Sequence, residues 1–159
     1  MASSSKKLGL GGILELLGAV LGVVALILMI VCNSMGTEYE FTYATLLNLG
    51  AIAGAVLAVV VAFSPRFSFD KKGYLGLAAA VGSVFLYGFT AIQAVNERIL
   101  VISSLFSWNT GNTAGWTSFY FTIAVVVCLV LASILVIVGA FVLPAGESED
   151  SPEVEAAVE

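Results

Sequence analysis

Few side chains in this sequence are of the types that carry out chemistry. There is no histidine, which removes imidazole metal ligands, Ser-His or Cys-His nucleophile pairs and a histidine pH switch. Cys32 ends the first apolar run and Cys128 lies in the middle of the last, depths that do not suit a disulfide between them. Ser83, Ser133 and Cys128 are hydroxyl and thiol groups inside apolar stretches with no base of their own. Paired carboxylates, phosphate-binding glycine loops and arginine-rich helices are not found in the sequence. No catalytic residue, metal ligand or cofactor-binding residue is therefore expected, and the chain reads as non-enzymatic.

Glu15 is the one acid within an apolar run. If the helix enters the membrane at Leu8, its carboxylate lies about 10 Å deep at 1.5 Å per residue. If the hydrocarbon begins near Ile13, it lies at the interface. Three roles follow: an interfacial residue, a buried structural partner, or a proton- or cation-coupling site, since a charge at depth is costly unless it has a function. The surrounding Gly11-Gly12-Ile13-Leu14-Glu15 resembles the start of the small multidrug resistance exporters. That resemblance implies four-helix dimers with a functional glutamate in helix one. It covers about a dozen residues; the longer loops, the extra tail and a one-sided charge bias depart from that family, and the assignment is not adopted. Asn48 and Gln93, with Thr90, Ser83 and Ser133, are the other polar side chains of note. Amides in lipid can bridge helices for about 1 kcal/mol, but both amides lie toward the outer ends of their spans and are read as having no special role.

The elements that must position these residues follow from composition. Hydrophobic residues make up 60% of the 159 and charged residues only 11%, against about 25% charged in soluble domains. A water-facing surface would need residues this chain lacks. The expected fold is all-α, a polytopic membrane protein built as a four-helix transmembrane bundle. The spans are expected at about 8–32, 43–63, 74–95 and 117–143, each near the 20 residues a bilayer requires. Ser64-Pro65 ends the second, because proline cannot continue the hydrogen-bond ladder, and Pro144 closes the fourth. Segment 96–116 is the least regular. Asn96-Glu97-Arg98 is polar and 99–108 is too short to cross a bilayer, so it reads as an extension of the third helix, an interfacial segment with Trp108 and Trp116 near headgroup level, or a packed loop.

The basic residues are distributed unevenly. Lys6 and Lys7 precede the first span, and Arg66, Lys71 and Lys72 lie between the second and third, with only Arg98 on the other side. This places residues 1–7, the loop 64–73 and the tail 144–159 in the cytoplasm, and loops 33–42 and 96–116 outside. The first run is read as a retained helix rather than a signal peptide, being longer than a signal core and lacking a small-x-small site. Six of the eleven acids fall in the last thirteen residues, so the tail has the composition of a disordered, acidic segment. No basic stripe exists for nucleic acid.

Lipid is as apolar as leucine, so close approach through small residues must hold the helices together. Gly18 and Gly22, Gly50 and Gly54, and Ala78 and Gly82 each stand four apart in the first three spans and are the expected helix-packing positions. The expected function is that of a non-enzymatic tetraspan: an accessory subunit, scaffold or membrane-organising protein. Its partners would be the lipid bilayer, a second copy or another membrane protein through the small-residue faces, and a cytoplasmic partner of the acidic tail. The alternative is a small oligomeric transporter or channel in which Glu15 is the ion-coupling residue. The expected location is the plasma or cytoplasmic membrane.

Overall fold

The structure, a computed structural model, describes residues 9–35, 40–64 and 74–142. Within them the chain is all-helical: α1 (Leu10–Asn33), α2 (Ala44–Phe63), α3 (Tyr74–Ser107) and α4 (Thr113–Phe141). Each is long and apolar enough to cross a membrane, the architecture of a multi-pass membrane protein. The amino-terminal lysines, the loop basics Arg66, Lys71 and Lys72, and the acidic tail lie outside the described residues.

The local signals act in different ways at different ends. Helix α1 stops where the Ser34 N–H bonds the carbonyls of Ile30 and Val31 and its hydroxyl donates back to Val31 at 2.7 Å. Helix α2 runs to Phe63, just before Ser64-Pro65. Asn112 caps α4, its side-chain oxygen accepting the Gly115 N–H at 3.0 Å, which meets one of the unpaired donors of a first turn.

Helix α3 passes without a break through Asn96-Glu97-Arg98 and continues to Ser107, and α4 begins at Thr113. Only 108–112 remain as a connection, so most of segment 96–116 is helical. The physical reason is that no glycine or proline stands between Gly88 and Gly111, and a helix satisfies its own backbone whatever its side chains. The polar triplet changes what α3 faces, not its conformation.

Each helix packs on the two beside it in the order α1, α2, α3, α4 and back to α1, with α2 and α4 barely touching across the diagonal. Close approaches set the register. Gly11 lies beside Gly139, Gly18 beside Ala132, Gly50 beside Thr90 and Gly76 beside Ser64, so α1 runs antiparallel to α4 and α2 to α3. The core is made of small residues around a few large ones. Ala25, Ala51, Ala58, Ala94 and Ala132 are fully enclosed together with Met29, Leu47, Tyr87, Val125, Leu129 and Val136. The outward faces are apolar as well; Phe85 and Ile92 on α3 are 68% and 70% exposed.

Helices α3 and α4 outreach the other two. At 34 residues α3 is about 51 Å long, and α2 at 20 residues about 30 Å. The α3–α4 hairpin therefore forms a head beyond the ends of α1 and α2. Its tip is held by aromatic packing: Phe106 lies edge-on to Trp116 at 5.1 Å between centroids and to Phe119 at 5.7 Å. The Trp116 indole N–H donates to the Thr110 carbonyl at 2.9 Å.

Candidate functional site

Three places in the bundle gather polar groups, and each is created by small residues that let the helices come close. The central one is organised by Tyr87. Its ring projects from α3 between α1 and α2, filling the space left by Gly22 and Gly54; a Cβ at either glycine would meet ring carbons at 2.7 Å. The Tyr87 hydroxyl donates to the Gly18 carbonyl at 3.3 Å. Beside it the Ser83 hydroxyl donates to the Gly54 carbonyl at 2.8 Å. Three helices are thereby joined through glycine carbonyls, acceptors that only a residue without a side chain leaves open to a neighbour.

The second place is at the end of the bundle that holds Asn33 and Ala44. The Arg98 side chain is 3% exposed. One guanidinium nitrogen, Nη2, donates to Cys32 Sγ at 3.3 Å, and Cζ stands 4.2 Å from the centroid of the Phe41 ring. Cys32 Sγ in turn lies 3.5 Å from Ser118 Oγ. The segment between α1 and α2 is tied down around this cation: Asn33 Oδ1 accepts the Phe41 N–H at 3.0 Å, and Glu97 Oε2 accepts the Tyr43 N–H at 3.3 Å. Helices α1, α3 and α4 and the segment leading into α2 all contribute to this knot. An arginine stacked on an aromatic face is worth about 0.5–2 kcal/mol, more as water is excluded.

The third place, at the opposite end, is Glu15. Its side chain is 5% exposed and faces α4. A Cβ at Gly139 would lie 2.6 Å from Glu15 Cγ and 3.3 Å from Cδ, so the carboxyl group occupies the space that Gly139 leaves.

The packing glycines fall where helices meet. Gly18 lies against Ala132 and Val136, Gly22 and Gly54 against Tyr87, and Gly50 against Thr90. Gly82 is half-buried, with Leu57 Cδ1 3.0 Å from its Cβ position. Ala78 is exposed. The inward face of α3 carries Gly76, Ala79, Ala80 and Ser83 instead, one residue out of phase with the expected pair. Ser133 donates to the Leu129 carbonyl of its own helix at 2.9 Å. Asn48 Oδ1 and Thr90 Oγ1 are enclosed without a hydrogen-bond partner among the described residues. Gln93 is half-buried. Cys32 and Cys128 are both free thiols, and no group of three or more metal-ligating side chains occurs among the described residues.

Tyr87, Arg98 and Ser118 were not among the residues singled out as site candidates. Arg98 carried a legible signal, being the one basic residue between the third and fourth apolar runs and directly following an acid. No family model, no curated protein and no solved structure matches this chain.

Proposed function

We propose that this chain is a tetraspan integral membrane protein, with both termini cytoplasmic, that acts without chemistry as an accessory subunit, scaffold or membrane-organising protein. The observation that carries the reading is the filled interior. Met29, Leu47, Tyr87, Val125, Leu129 and Val136 close the bundle axis at 0–1% exposure. A bundle packed in this way offers partners its outside: the apolar helix faces, the α3–α4 head and the segment held by Arg98.

The alternative, a small oligomeric transporter using Glu15, draws on the inward position of that carboxylate. It requires a path between subunits, since the axis of a single bundle is occupied by side chains. Purification of the native complex in mild detergent, with crosslinking, separates the two. A companion protein at fixed stoichiometry is the expected result. A homo-oligomer whose Glu15 reacts with a water-soluble carbodiimide from a central wet path would replace the accessory reading with transport.

A further inference from the structure

The Glu15 niche has a composition that the packing of helices alone does not require. Gly11 and Gly139 bring the backbones of α1 and α4 so close that a Cβ at Gly11 would lie 2.6 Å from the Gly139 carbonyl oxygen and 2.9 Å from that of Val142. A Cβ at Gly139 would lie 2.9 Å from the Gly11 carbonyl oxygen as well as against Glu15. The Glu15 side chain thus lies where the last turn of α4, whose carbonyls carry partial negative charge, meets the first turn of α1.

Glu15 is enclosed at 5% exposure, and Gly11 and Gly139, the residues packed about it, bring no side-chain donor. Neither α2 nor α4, the helices packed against α1, contains a charged residue. Tyr87 of α3, a titratable side chain, has its hydroxyl engaged by the carbonyl of Gly18, about one turn along α1 from Glu15. An ionised carboxyl enclosed in this way is strongly disfavoured without a compensating positive charge.

We propose that the Glu15–Gly11–Gly139 niche is a binding site for one positive charge taken from solution, either a proton or an alkali-metal cation. Both meet the same need, and hard monovalent cations take oxygen ligands of the kind gathered here. The site goes beyond the accessory reading and does not depend on it.

The test is thermal unfolding of the full chain in nanodiscs of neutral phosphatidylcholine, followed by tryptophan fluorescence. It is run across pH in choline chloride, then with added sodium or potassium chloride. A metal cation predicts a Tm that climbs with the logarithm of sodium or potassium concentration above half-saturation. A proton predicts a Tm that falls as pH rises, with a neutral-carboxyl C=O stretch in the infrared. Glu15→Gln is expected to lose whichever dependence the wild type shows. Should that variant fail to fold, Glu15→Asp keeps the charge on a shorter stem, and its half-saturation is expected at several-fold higher cation or proton concentration. A wild-type Tm indifferent to both, or a Glu15→Gln Tm that still follows them, overturns the site. So does a wild-type Tm that ignores added ions and pH but drops when Lys6 and Lys7 are both replaced by glutamine. That result would assign the charge to the chain's own terminus.

Discussion

Replacing Gly22 by alanine puts the Tyr87 packing under the most direct strain. The new methyl group would stand 2.7 Å from Cε1 and Cζ of the ring, well inside van der Waals contact, so something must move. The ring has nowhere to go: it is fully buried, Gly54 closes its other side, and its hydroxyl is held by Gly18. Overpacking of this kind costs about 1–3 kcal/mol. Gly88 on α3 is the internal control, because a Cβ there meets nothing within 4 Å, and Gly88→Ala is expected within about 0.5 kcal/mol of wild type. Tyr87→Ala deletes a buried aromatic ring and by itself costs about 3 kcal/mol or more. In that background the obstacle is gone, so Gly22→Ala becomes neutral within about 0.5 kcal/mol, and the cycle yields a coupling of about 1–3 kcal/mol. Reversible unfolding in bicelles, by steric trapping or denaturing-detergent titration, measures all four corners. If Gly22→Ala costs no more than Gly88→Ala, or costs the same with and without the tyrosine ring, then the ring does not occupy the glycine notch and the account of the centre is wrong.

The remaining expectations concern the two ends and the outer surface. Phe41→Leu keeps bulk but removes the ring face under Arg98, and should cost about 0.5–2 kcal/mol in the same unfolding assay. Arg98→Ala should cost more and should speed maleimide labelling of Cys32, which is fully enclosed in the native protein; unchanged labelling would separate the two residues. Gly18→Leu and Gly54→Leu place long side chains against Val136 and Tyr87, so native-detergent sizing should show loss of the folded monomer; a folded chain that has merely lost a partner would assign these glycines to assembly. Membrane-impermeant labelling in sealed vesicles should find Lys7 and Lys71 on the same face, and opposite faces would rule out the charge-based orientation.

Much of the architecture was legible because hydrocarbon solvation leaves a backbone few options. A run such as 44–63, with no charge and no break, has to close its own hydrogen bonds, and in lipid that means a helix. The number of helices and their approximate limits follow from this alone. The length of α3 was less legible. Polarity at Asn96-Glu97-Arg98 reads as a boundary, although nothing in those residues stops a helix. The structure supplies partners, Tyr43 for Glu97 and Cys32 with Phe41 for Arg98, that make the polar turn compatible with burial.

By itself, the sequence determined that there are four apolar helices, that small residues must mediate their contact, and that Glu15 is the acid to account for. Tertiary structure alone decided which face of each helix turns inward. Along α3 both Ala78 and Ala79 are small and apolar, yet one is exposed and the other buried. In water the contrast between polar and apolar residues selects the buried stripe, but a helix apolar all round has no such contrast. The choice passes to shape, and shape is a property of pairs: Gly22 and Gly54 are a notch only because Tyr87 arrives from a third helix, and Gly139 is a niche only because Glu15 lies opposite.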